Sequence, residues 1–305
     1  MDFGRLPDNE FPLVDYTLPL DSQATKRVLL EAIKPNQPEL YVGCAKWGRK
    51  EWLGLIYPPK TKEANFLDEY VKHFNSIELN SLFYHMPKVD QVNTWREKAE
   101  ISHKNFKFFP KFTQSISHRK RLKDAEEITS EYLHSISAFG DTLGPAFLQL
   151  SDNFGPKNFN VLKNYLEHLP QDFDVFVELR HPEWYSDAIA REEVFAMLRG
   201  LKKGAIITDA SGRRDCVHME LTCADAFIRF VGNGLHPTDF SRIDNWVARL
   251  ADWREQGLRN IYFFLHQHDE KDTPILADYT IKMLNDVLGT QLIRPGINEP
   301  PKELF

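Results

Sequence analysis

The sequence predicts an α/β fold, a single (β/α)8 TIM-like barrel, on three observations. β-type runs recur eight times, their starts roughly 20 to 40 residues apart, which is the spacing of strand–helix units. Most of the intervals carry an apolar stripe at helical spacing. Alternation of the two implies parallel strands joined by right-handed crossovers. Eight strands in about 250 residues suit a closed barrel better than an open doubly wound sheet.

Residues 1–38 read as an added N-terminal arm, with a helix over 22–33. The first strand is LYVGCAKW (40–47), and Ala64, Leu67, Tyr70, Val71 and Phe74 stripe the helix after it. SIELNSLFY (76–84) and FKFFPKF (106–112) are the next two strands. Ile128, Leu133, Ile136 and Phe139 form a helical face before the fourth strand, AFLQL (146–150). Leu162, Tyr165, Leu166 and Leu169 lead to DVFVELR (174–180), and Val194, Phe195 and Leu198 lead to GAIITD (204–209). No helical stripe occupies 210–225, so a loop is expected before AFIRFVG (226–232). Trp246, Val247, Leu250 and Trp253 precede NIYFFLH (260–266), and Leu276, Tyr279 and Leu284 mark the last helix. The barrel domain is thus placed at 39–293. The proline-broken stretch 294–305 is an extended C-terminal tail ending in Leu304 and Phe305. That apolar pair suits a peptide-type partner contact, although a frayed terminus is the plainer reading.

A chain of 305 residues folded as one domain buries roughly 75% of its unfolded surface, so it needs no disulfide or metal staple. The net charge of −6 opposes an electrostatic nucleic-acid binder. Cys44, Cys216 and Cys223 are scattered without CxxC spacing, which reads as reduced thiols in a cytoplasmic protein. The opening residues lack the pattern of a signal peptide, and no uncharged stretch approaches the ~18 residues of a membrane span.

Residues two apart in a strand share a face. In VFVELR, Val175, Val177 and Leu179 must pack under the helices, so Phe176, Glu178 and Arg180 turn inward. The same alternation sends Glu78 and Asn80 inward on strand two, Lys111 on three and Gln149 on four. It does the same for Asp209 on six, Arg229 on seven and His266 on eight. An isolated buried charge costs several kcal/mol, but the acids Glu78, Glu178 and Asp209 can pair with Lys111, Arg180 and Arg229. A network that merely plugs the barrel mouth is one reading. A working site is preferred, because apolar replacement of such networks is often neutral or stabilising and this fold keeps its active sites at the C-terminal strand ends. His181 has the opposite parity and is expected to support the site from the rim. Cys44 shares the face of Val42, which would put it inside, yet an inert buried thiol is the plainer reading.

The stretches GCAKW, HFNSIELNSLFY, FKFFPKFTQSISH, FLQLSDNFGP, VELRHPEW, FIRFVG and YFFLH occur in this order from about residue 40 to 290. They resemble the YecE-like bacterial family, domain of unknown function 72, which implies a TIM-like barrel and no settled reaction. The resemblance marks Trp47, Glu78, Asn80, Phe83, Tyr84, Lys111, His118, Gln149, Glu178, Arg180, His181, Trp184, Asp209 and Arg229 as characteristic positions. Many members carry a small residue and a serine before the first tryptophan, where this chain has Ala45 and Lys46. Many end strand eight with an asparagine pair, where this chain has His266 and Gln267.

The chemistry expected is that of an enzyme (hydrolase, lyase or isomerase) acting on a small anionic or polar metabolite. Arg180 and Arg229 would hold a carboxylate or phosphate, with His118 adding to the positive field. Trp47, Tyr84 and Trp184 lie just past strand ends and would cover a ring, or else simply cap the barrel. Glu178 or Glu78 would be the general base, and two acids flanking a pocket would also serve glycosidic hydrolysis. Lys111 suits a Schiff base, but ion pairing is the plainer reading. No cofactor is expected. Two alternatives remain. One is metal-dependent hydrolysis or isomerisation with Glu78, Glu178, Asp209, His266 and His268 as donors. The other is a non-catalytic nucleotide or nucleic-acid accessory role, if Lys46, Arg49, Lys50, Arg119, Lys120 and Arg121 cluster as a basic rim.

Overall fold

The computed structural model describes residues 3–33 and 39–297. The arm contributes α1 (Gln23–Glu31), opened by the Ser22 side chain accepting a hydrogen bond from the Thr25 amide. Then follow β1 (Glu39–Cys44), α2 (Phe66–Tyr70), β2 (Ser76–Leu79), α3 (Val89–Ser102) and β3 (Lys107–Pro110). The middle of the chain forms α4 (Glu126–Ser137), β4 (Ala146–Gln149), α5 (Phe159–Glu167) and β5 (Val175–Glu178). It continues through α6 (Glu183–Ser186), α7 (Ala188–Gly200), β6 (Gly204–Asp209) and β7 (Asp225–Gly232). The last elements are α8 (Pro237–Gln256), β8 (Asn260–Gln267) and α9 (Thr273–Leu288). Between β6 and β7 only a short 3-10 turn, Arg214–Cys216, interrupts the loop.

All eight strands pair in parallel in the order β3-β2-β1-β8-β7-β6-β5-β4, a barrel that is nearly closed. The seam between β3 and β4 is thin, held by bridges at Phe108–Leu143 and Lys111–Phe147. Proline explains the thinness. Lys107 and Lys111 donate their amides toward β2 and Phe112 donates toward β4, so Pro110 stands where a donor to β4 is missing.

The core has two layers. Val42, Ile77, Phe108, Leu148, Val177, Ile207, Ile228 and Phe263 pack outward under the helices. Inside the barrel, Tyr41, Phe109, Phe147, Phe176, Ile206, Phe227, Tyr262 and Phe264 form a second cluster, so aromatic rings rather than Val, Ile and Leu fill the interior. Glycines make room for them: a Cβ on Gly204 would lie 2.1 Å from the Phe176 ring. Cys44 joins the outer layer, not the interior, and its amide is bonded by Tyr70 Oη at 2.8 Å. Burial raises its thiol pKa well above the ordinary value, which fits an inert cysteine. No helix among the described residues is long and apolar enough to cross a membrane. The Leu304–Phe305 contact expected of the tail lies outside the described residues.

Candidate functional site

The inward residues at the C-terminal ends of the strands form a charged layer directly above the aromatic cluster. Arg229, fully buried on β7, holds Glu78 of β2 bidentately, Nε to Oε2 at 2.8 Å and Nη2 to Oε1 at 2.7 Å. Its Nη1 donates to Glu178 Oε2 of β5 at 2.5 Å. Glu178 Oε1 accepts from Thr208 of β6 at 2.8 Å and from Arg180 Nη2 at 3.2 Å. Glu78 also accepts from Asn80 Nδ2 at 2.5 Å. His266 of β8 places Nε2 3.1 Å from Glu78 and Nδ1 3.7 Å from Glu270.

Burial alone would raise both carboxyls, but the guanidiniums prevail. Arg180 and Arg229 hold Glu178 at about 2, and Arg229 with His266 holds Glu78 well below the usual range. For His266 burial opposes the charge, and Glu78 and Glu270 win, so its pKa is raised. Both glutamates are thus held as anions, which makes them weak bases at neutral pH. Glu78 holds Arg229 in place, and Glu178 holds both Arg229 and Arg180.

Above this floor opens a cavity of ≈ 910 Å³. Glu78, Asn80, Lys111, Gln149, Arg180 and His266 line its bottom, and Trp47, Phe83, Tyr84 and His118 line its walls. Trp47 is braced edge-on against Trp95, ring centres 5.4 Å apart, while Tyr84 is exposed. Lys111 does not pair with an acid: among the described residues no carboxylate lies within ion-pair distance of it. Its Nζ donates to Gln149 Oε1 at 2.6 Å and rests 4.4 Å from the Phe83 ring centre. Burial, then the nearby Arg229 and Arg180, bring its pKa down to about 7. His118 meets Phe83 edge-on at 4.9 Å and is pushed down to about 4, mainly by burial and then by Lys111 and Arg180. On the open side of the floor the Phe3 ring of the arm covers the Arg180 guanidinium at 4.0 Å.

Arg229, expected to hold the ligand, is fully buried beneath the floor and does not line the cavity, and three other expected residues fall elsewhere. Asp209 faces outward, where its carboxylate takes Arg242 Nη2 at 2.7 Å and Trp246 Nε1 at 2.7 Å from α8 and also meets Arg214. The inward residue of β6 is Thr208. Trp184 is fully buried in the outer core with its Nε1 bonded to the Phe154 carbonyl at 2.7 Å, so it covers no ligand. His181 stays outside the cavity and accepts the Glu183 amide at 3.2 Å. Residues missed in the sequence are Thr208 and Glu270, while Phe83, marked only as characteristic, turns out to be a wall. The basic rim is broken up: Arg49 pairs with Glu51 at 3.1 Å, Lys50 with Glu63 at 2.7 Å, and Arg121 bonds Ser151 and Asn153. Of the supposed metal donors, Glu78 and Glu178 are taken up by Arg229 and Asp209 faces outward, and no group of three or more His, Cys, Asp or Glu among the described residues is arranged for an ion.

The profile of a "Protein of unknown function DUF72" matches residues 41–300. The chain belongs to the DUF72 family. The UPF0759 protein YecE of Escherichia coli is 29% identical over 259 residues, which is 78% of this chain and 90% of that protein. The UPF0759 protein YunF of Bacillus subtilis is 26% identical over 159 residues, 48% of this chain and 52% of its own length. Two DUF72 crystal structures share the architecture. The one from Enterococcus faecalis has a TM-score of 0.62 at 16% identity, covering 84% of this chain and 100% of its own. The one from Thermotoga maritima has a TM-score of 0.61 at 21% identity, covering 83% and 100%. At those identities the likeness concerns the barrel, and this DUF72 chain's own side chains carry the functional argument.

Proposed function

We propose that this DUF72 barrel is an enzyme that binds a small anionic or polar metabolite in the cavity at the C-terminal end of its strands. One observation carries the reading. The floor's carboxylates are already engaged by guanidiniums, while two basic groups line the cavity: Arg180, which must share Glu178 with Arg229, and Lys111, which has no acid partner among the described residues. An incoming carboxylate or phosphate completes that balance with charge-assisted hydrogen bonds. Trp47 and Phe83 offer apolar faces to the rest of the molecule. The reaction class is one that moves protons without Glu78 or Glu178, with His118 and Lys111 as the groups able to do so.

Thermal unfolding with a panel of small carboxylates and phosphates tests it. A ligand at about 100 times its Kd stabilises by about 2.7 kcal/mol, a shift of several degrees. Arg180→Met should abolish that shift while keeping the unligated fold. An unchanged shift in the variant would remove Arg180 from the site.

A further inference from the structure

We propose that Lys111 is a covalent amine nucleophile that forms a Schiff base with the carbonyl of an anionic aldehyde or ketone, such as a short 2-oxo acid. The idea rests on the pocket just described and names its substrate class. Four features of the geometry support it. Lys111 lines the bottom of the cavity, directly after β3, where it bridges to Phe147 across the barrel seam. It has no acid partner among the described residues, and its hydrogen-bond acceptor is the neutral Gln149 amide. With one N–H given to Gln149, an uncharged amine keeps its lone pair for the cavity. The Arg180 guanidinium lines the same floor, placed to hold the anionic end of the substrate.

The protonation state agrees. A pKa brought down to about 7 leaves a large share of Lys111 uncharged at neutral pH, whereas a surface lysine stays almost wholly protonated. The apolar wall contributes as well, since Phe83 and Phe147 flank the amine and limit hydration of its charge.

The step balances without oxidant or reductant. The Nζ lone pair forms a C–N bond to the carbonyl carbon, the carbonyl π pair goes to oxygen, and one proton passes from the nitrogen to that oxygen to give a neutral carbinolamine. The nitrogen lone pair then expels that hydroxyl as water after a second protonation, leaving an iminium and one released water. His118, neutral at this pH and lining the same cavity, is the group that relays these protons, taking the one nitrogen sheds and passing on the net proton drawn from solvent. The iminium then draws electrons from the adjacent carbon, so the onward chemistry is C–C bond cleavage or proton transfer beside the carbonyl.

Borohydride trapping with glyoxylate and pyruvate tests this on the full chain, with peptide mapping to locate the adduct. The result expected is a single dominant adduct on Lys111 at pH 7, with a trapping rate half-maximal near the depressed pKa of about 7. Lys111→Arg and Lys111→Met should lose the adduct while keeping the thermal transition. Arg180→Met should slow trapping of glyoxylate about tenfold or more beyond its effect on acetaldehyde, which loses only the guanidinium's influence on the amine. Labelling spread over surface lysines, or none at all, overturns the proposal. If Arg180-dependent stabilisation by non-carbonyl anions persists in that case, the pocket reading stands and only the covalent step falls. If it too is absent, both fall.

Discussion

Lys111 and Glu178 belong to one charged layer but influence stability in opposite directions. Glu178 is stabilised as an anion by Arg229, Arg180 and Thr208, so its charge supports the fold. Lys111 is held by burial and two guanidiniums with its pKa at about 7, below the ordinary lysine value, so its charge works against the fold. Between about 7 and 10.5 the unfolded chain binds more protons than the folded one, and this residue makes stability rise with pH across that window. Lys111→Met should therefore stabilise the protein at pH 6 by about 1–4 kcal/mol, with the gain fading toward pH 10. Urea unfolding of both proteins across that range would show it. A destabilised variant at pH 6 would mean that Lys111 is charged and well paired in the folded state. Retaining a residue that weakens the fold is what a functional amine requires and what a plug does not.

At the scale of elements, β6 shows where charge misleads. GAIITD has apolar residues on both faces, so nothing but Asp209 itself distinguishes inside from outside. The answer lies in α8, where Arg242 and Trp246 are one turn apart and both reach that carboxylate. Such a spacing is readable in a sequence, but which strand it serves is not. Asp209 is thus the anchor of α8 against the barrel, and burial opposed by Arg242 and Arg214 leaves its pKa lowered. Asp209→Ala should cost about 3–5 kcal/mol in urea, because it strands the buried Arg242, and leave the anion-induced thermal shift intact. Loss of that shift at full stability would contradict its structural role. Two other elements depart from the patterns. The sequence extends strand two to 84, but β2 ends at Leu79 and a 3-10 turn over Asn80–Phe83 bends the chain so that Phe83 faces the cavity. Helix α3 leaves no stripe in the sequence because only Val92 and Ala99 of its 14 residues are buried.

For the molecule as a whole, the barrel was readable because eight apolar runs and their intervening stripes are repeated signals that reinforce each other. The convergence of Glu78, Lys111, Gln149, Glu178, Arg180, Arg229 and His266 followed from strand parity alone. Who pairs with whom did not, since the partners sit on different strands and parity fixes a face, not a distance. Nor did the arm announce that Phe3 would lie on Arg180, because local patterns hold no record of so distant a contact. The opposite end of the barrel offers the natural comparison, a cavity of ≈ 620 Å³ lined by His103, Lys104 and Lys107 among others. Its two lysines are matched by Glu39 and Asp141, and it lies at the N-terminal strand ends, where this fold keeps its stability. A crystal structure of the protein soaked with phosphate decides between the two ends. An ordered anion bonded to Arg180 and facing Lys111 in the upper cavity is the result expected. An anion bound only at Lys104 and Lys107, with the upper cavity holding none, would contradict it.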